Sequence, residues 1–193
     1  MYKTLIFDFD GTIADCKQLH QDAFRKAVQK VCGNANYEDE LVEGRPTREK
    51  IRILHTMGYE FNGDKLNQIK QAITQERLPN FIKFNEDLYE QMLRLSYKYK
   101  LCLATNATEV FIRRSLETMR ISNFFTKVNT ATDFPAKPDP VTFFDCMRYT
   151  GSAPSTTVIF EDSPVGIQCA RATGATVVEV ENVKDTIKKL EDF

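Results

Sequence analysis

Asp8 and Asp10 stand two residues apart in Phe7-Asp8-Phe9-Asp10-Gly11-Thr12. Where a strand gives way to a turn, carboxylates at i and i+2 can face one crevice, and Gly11 lets the backbone bend sharply beside a ligand. A D-x-D-G string also opens calcium loops, but such a loop needs a glutamate near its twelfth position, and counting from Asp8 puts Leu19 there. A second acidic pair, Glu161 and Asp162, follows the apolar run Thr157-Val158-Ile159-Phe160. If the two runs are neighbouring parallel strands, four carboxylates converge at one sheet edge. They cannot all stay ionised there without a cation or raised pKa values. All-oxygen ligation of this kind suits Mg²⁺, which completes its shell with waters and phosphate oxygens. Two further groups supply positive potential. Thr105-Asn106 ends an apolar run just before a helix opening near Thr108, where a hydroxyl, an amide and unspent backbone N–H groups form an anion site. Lys137 precedes Pro138-Asp139-Pro140, and the two prolines hold it in place.

The elements that must position these residues follow from hydrophobic period and punctuation. Thr4–Phe7, Leu101–Ala104, Thr157–Phe160 and Thr176–Val178 are short, continuous apolar runs, the pattern of parallel strands buried on both faces. Between them lie helical patterns: Glu86 to Tyr99 after an Asn85 cap, a helix from Asp139-Pro140 to Gly151, and another from Pro164 to Gly174. Alternation of this kind predicts an α/β fold with a Rossmann-like, doubly wound parallel sheet. Residues 16–83 carry no strand pattern but three helical ones, Leu19 to Val31, Arg48 to Met57 and Asp64 to Leu78. They read as a small α-helical domain inserted after the first strand, with the core formed by residues 1–15 and 84–193. Ligands of open α/β sheets bind beyond the carboxyl ends of strands, so an insertion there is expected to cap the site.

Composition limits the partners. The 193 residues hold 26 Lys plus Arg against 27 Asp plus Glu, a formal charge of −1, so no global field recruits nucleic acid or an anionic membrane. Tyr97-Lys98-Tyr99-Lys100 and Arg113-Arg114 read as exposed helix ends rather than nucleic-acid contacts. Five cysteines, an odd number without a C-x-x-C pair, point to a reducing compartment, and Cys16 reads as a small hinge residue. No apolar run approaches the roughly 18 residues of a membrane span or forms a signal-peptide core. A cytoplasmic protein, monomeric or weakly dimeric, is expected.

In the order D-x-D-G-T, T-N, K-P and E-D, these motifs resemble the haloacid dehalogenase superfamily, and the resemblance spans the chain. The helical insertion looks like the small cap of its β-phosphoglucomutase-like and phosphoglycolate phosphatase-like branch. Asp8 is then implied as the nucleophile that forms an aspartyl-phosphate, with Asp10 as general acid and base. Mg²⁺ is implied at Asp8, the Asp10 carbonyl and Asp162 with Glu161 nearby. Thr105, Asn106 and Lys137 are implied as stabilisers of the transferring group. On the cap, the resemblance makes His20 a candidate for positioning substrate. The segment Gly44-Arg45-Pro46-Thr47-Arg48 resembles the specificity loop, whose Arg45 and Arg48 would grip a second anionic group.

The expected function is Mg²⁺-dependent hydrolysis of a small phosphorylated metabolite. A β-phosphoglucomutase-type phosphomutase is the nearest alternative, against which Thr108-Glu109 replaces the Lys-Asn pair of such mutases. A metal-free dehalogenase has no use for Asp10 or for the Glu161-Asp162 pair. A non-catalytic phosphate-binding module is the reading from another class, and here every nucleophile and metal position is filled.

Overall fold

The computed structural model describes residues 1–33, 36–38 and 45–193. They fall into two compact units, Met1–Asp15 with Ile82–Phe193, and Cys16–Phe81. The first is built on a five-stranded sheet. Its strands are β1 (Thr4–Phe7), β2 (Lys100–Ala104), β3 (Phe125–Asn129), β4 (Thr157–Glu161) and β5 (Thr176–Glu179), in spatial order β3-β2-β1-β4-β5. Every pairing is parallel. The doubly wound α/β sheet expected from the alternating pattern is therefore present.

The order of strands explains where chemistry can happen. From β1 the chain winds outward through β2 to β3, then returns to the other side of β1 for β4 and β5. The winding direction reverses between β1 and β4, and the segments that leave those strands diverge to open a crevice. In register, Phe7 pairs with Phe160, so the residues that follow, Asp8 and Glu161, begin side by side. Phe7 and Phe160 are buried and stack with ring centroids 4.9 Å apart. Burying each such side chain stabilises by about 1.5–3 kcal/mol, which anchors the strand ends that carry Asp8 and Glu161.

Helices cover the sheet: α4 (Glu86–Ser96), α5 (Glu109–Thr118), α6 (Val141–Thr150), α7 (Pro164–Arg171) and α8 (Val183–Leu190). Local signals fix their ends. Asn85 Oδ1 accepts from Leu88 N, Ser163 Oγ accepts from Gly166 N, and Gly151 closes α6 at φ 67°. Two details differ from the sequence expectation. Helix α6 opens at Val141, with Pro140 at the capping position and the Asp139 carboxylate accepting from Val141 N one step earlier. Helix α5 opens after Thr108 as expected, but its first amide, on Glu109, donates to the Thr132 hydroxyl and is not among the unspent N–H groups.

The second unit contains α1 (Lys17–Cys32), α2 (Thr47–Thr56) and α3 (Gly63–Phe81). Phe24, Ala27, Val28, Leu54 and Leu66 form its buried core. Helix α3 runs three residues past Leu78 through Pro79. A proline this near the end forfeits one backbone hydrogen bond and leaves the final turn helical. Among the described residues, no helix is long and apolar enough to cross a membrane.

Candidate active site

The β1 carboxyl end supplies Asp8, whose backbone N–H donates to Phe160 O across the β1–β4 boundary at 2.9 Å. The next residues fold back at once. Thr12, Ile13 and Ala14 donate to Phe9 O, and Gly11 N donates to Ala14 O at 2.8 Å. Gly11 has φ +90°, in the left-handed region that favours glycine. A Cβ there would stand 2.1 Å from Asp162 Oδ2, so the bare backbone makes the space in which the Asp162 carboxylate lies.

Opposite Asp8, β4 ends in Glu161, only 1% exposed. Both of its oxygens are engaged. Oε1 accepts from Ser163 Oγ at 2.9 Å and from the Asp162 and Ser163 amides at 3.2 Å, while Oε2 accepts from Lys137 Nζ at 2.6 Å. The same Lys137 Nζ donates to Asp8 Oδ1 at 2.6 Å. Lys137 is 5% exposed, and its ammonium also lies 5.0 Å from the Phe143 ring centroid. Sequence reading placed Glu161 among the metal acids but did not foresee that it clamps Lys137. Ser163 was also missed as a partner of Glu161, although its capping position before Pro164 was a usable signal.

The segment after β2 joins this cluster through Asn106, whose Oδ1 accepts from the Lys137 backbone N–H at 2.8 Å. Thr105 is buried and its Oγ1 accepts from Ala107 N at 3.1 Å. Asp8, Asp162, Glu161, Lys137 and Asn106 are thus linked at one edge of the sheet, with Thr105 next to Asn106. Asp10 is half-buried on the turn after β1, and its charge acts on Asp8. The cap candidates belong to the other unit. There, Lys70 Nζ lies 3.3 Å from His20 Nδ1, Arg45 pairs with Glu49 at 2.5 Å, and Arg48 is exposed. Gly44 lies outside the described residues.

Electrostatics at this edge are unbalanced. Burial pushes the Asp8 carboxyl well above the ordinary carboxylate range, Glu161 adds to the rise, and the Lys137 ammonium opposes both without cancelling them. Burial alone would lower the Lys137 ammonium, but Asp8 and Glu161 outweigh it and hold the group charged. One ammonium is shared between two buried carboxylates, Asp8 and Glu161, and Asp8 stays pushed upward in spite of it. Asp8, Glu161 and Asp162 each offer a carboxylate oxygen, all within 4.8 Å of one another, and this hard, all-oxygen donor set fits Mg²⁺.

Gly166 makes a second close approach. A Cβ there would stand 2.1 Å from Glu161 Cδ. Gly166→Ala should therefore displace the carboxylate that holds Lys137, costing about 1–3 kcal/mol despite the better helix propensity of alanine. Thermal unfolding checks this; an unchanged or raised melting temperature would show that Glu161 moves aside freely.

Comparison with known proteins agrees with this geometry. The chain is 27% identical over 186 residues to the fructose-1-phosphate phosphatase YqaB of Escherichia coli (strain K12), covering 93% of this chain and 96% of that protein. It is 27% identical over 200 residues to the phosphorylated carbohydrates phosphatase of Thermotoga maritima, covering 98% and 88%. Among solved structures, a family IA, variant 3 HAD hydrolase from Entamoeba histolytica superposes with a TM-score of 0.80 at 22% identity, covering 92% of this chain and 83% of that one. The model of the haloacid dehalogenase-like hydrolases matches residues 5–180, which takes in all five strands except Thr4 at the start of β1 and includes Asp8, Asp10, Glu161 and Asp162, and the chain belongs to that family.

Proposed function

We propose that the chain is a Mg²⁺-dependent phosphatase that hydrolyses a small phosphomonoester through an aspartyl-phosphate on Asp8. The observation that carries this reading is the buried Lys137 held 2.6 Å from both Asp8 and Glu161 beside the Asp162 carboxylate. A nucleophilic oxygen, a fixed ammonium and metal-suited acids meet at the reversal point of the sheet. The phosphatase names of the two relatives support the reaction class, and phosphorylated carbohydrates are the substrate class they suggest.

Lys137 engages Asp8 Oδ1, which leaves the other oxygen, Oδ2, as the nucleophile in this reading. Attack by Oδ2 forms the Asp8 O–P bond as the ester P–O bond breaks, and Asp10 donates a proton to the departing alcohol oxygen. Asp10 then takes a proton from water, which attacks phosphorus, breaks the Asp8 O–P bond and releases inorganic phosphate. Thr105, Asn106 and Lys137 stabilise the equatorial oxygens of the phosphoryl group. Mg²⁺, held by Asp8, the Asp10 carbonyl and Asp162 with Glu161 behind them, would neutralise charge on that group and relieve its repulsion from Asp8. The helical unit, inserted directly after Asp15, is the cap in this reading, with His20, Gly44, Arg45 and Arg48 as its substrate-facing candidates. The reading also includes a cytoplasmic location and a monomer or weak homodimer.

Hydrolysis of an aryl phosphate tests the reaction class. Activity should disappear with EDTA and return with excess Mg²⁺; hydrolysis indifferent to EDTA would overturn the metal dependence. Phosphomutase activity is disfavoured by Glu109 in the first turn of α5, a poor neighbour for a second phosphate.

A further inference from the structure

Asn129, the last residue of β3, is fully buried and belongs to none of the motifs above. Its backbone carbonyl accepts from Thr105 N at 3.1 Å. Its side-chain Nδ2 donates to Thr142 O at 2.9 Å and to Asp145 Oδ2 at 3.2 Å, with Cys146 Sγ at 3.4 Å. Thr142 O and the Asp145 carboxylate are pure acceptors, so they fix which end of the amide faces α6. Asn129 Oδ1 is buried with no hydrogen-bond partner among the described residues. An unmet buried acceptor is unfavourable relative to an apolar side chain of similar size, so the Nδ2 contacts must offset it.

Those contacts close a circuit. From Asn129 one arm runs through Thr105 to Asn106, whose Oδ1 accepts from Lys137 N at 2.8 Å. The other runs through Thr142, in the first turn of α6, and that helix begins four residues after Lys137. Both arms end on the residue that bridges Asp8 and Glu161. We infer that Asn129 is a positioning residue, one that sets the separation between the Thr105-Asn106 segment and α6 and so holds the Lys137 ammonium on Asp8. Its effect on turnover rests on the phosphatase reading above; its effect on the Lys137 backbone does not.

Asn129→Ala and the near-isosteric Asn129→Asp, which keeps the shape but loses the donor, should each lower kcat about tenfold, with KM changed less than about threefold. Inhibition by orthovanadate should weaken by a similar factor. Hydrogen exchange at the Lys137 amide should accelerate in both. Met147→Ala, which removes a buried α6 side chain outside the circuit, provides the control for loss of packing alone. It should lower the melting temperature while leaving kcat and Lys137 exchange unchanged at temperatures where the protein is folded. Wild-type kcat and wild-type Lys137 exchange in the Asn129 variants would overturn the inference, as would equal losses in Met147→Ala. If the wild-type chain hydrolyses no phosphate ester, the phosphatase reading fails, and exchange at Lys137 still decides the role of Asn129. If Asn129→Ala does not fold, Asn129→Asp carries the same measurements.

Discussion

Lys137→Met should cost about 3–5 kcal/mol of folding stability, because it leaves Asp8 and Glu161 facing each other in a dry site without their shared cation. The separation of those carboxylates is set by two 2.6 Å contacts to one ammonium, and no aliphatic side chain replaces them. The loss should shrink as pH falls, since protonating either acid removes the repulsion. Phosphate release should drop about 10²–10³-fold even where the variant is folded, since a charge preorganised on the transferring group is gone. Urea unfolding at two pH values checks the first part. A stability loss that does not depend on pH would mean that Lys137 acts through packing on Phe143 rather than through charge.

The second large effect has opposite signs for stability and activity. Asp8→Asn should abolish phosphate release, at least about a thousandfold, because an amide does not serve as the nucleophile. In the metal-free protein the same change should raise the melting temperature by about 2–4 °C. The reason lies in the raised Asp8 pKa. Between the ordinary carboxylate range and the raised value, the folded chain keeps a proton that the unfolded chain releases. Folding stability contributed by Asp8 is therefore present at low pH and is lost as pH rises through that window. Asparagine removes the titration, so the variant should lack this component of the pH dependence. Added Mg²⁺ should stabilise the wild-type chain more than the variant, since the ion binds the folded state in proportion to its affinity for the carboxylate set. A site that is electrostatically strained when empty and relieved by its ion is a common form of the trade between stability and activity.

Much of this was legible in the chain because of where its strands lie. β1, β2 and β4 are covered on both faces, so they read as continuous apolar runs, and the acids at the ends of β1 and β4 could be assigned to one edge from the sequence. β3 escaped because its two apolar residues are separated, whereas the other edge strand, β5, keeps Val177 and Val178 together. In Phe125-Thr126-Lys127-Val128-Asn129 the polar pair Thr126-Lys127 splits the two apolar residues, which leaves neither a run nor an alternation to detect. With it went Asn129, whose importance comes from the helix and the segment it joins and from no feature of its own neighbourhood in sequence. The division of labour between Glu161 and Asp162 was equally hidden. Two adjacent acids look alike as a string, but the strand ends at Glu161, which turns its side chain into the Lys137 and Ser163 contacts and leaves Asp162 against Gly11. The roles of His20, Arg45 and Arg48 depend on side chains meeting a substrate that is not part of the sequence.

The most direct measurement of the central claim is chemical trapping of the intermediate. Wild-type protein mixed with Mg²⁺ and an aryl phosphate, quenched in acid during turnover and reduced with borohydride, should give a peptide in which the Asp8 side chain has become an alcohol, the product expected of an acyl phosphate. The Asp8→Asn protein and a sample without substrate should give none. Turnover without reduction at Asp8, or with reduction at another carboxylate, would contradict the account.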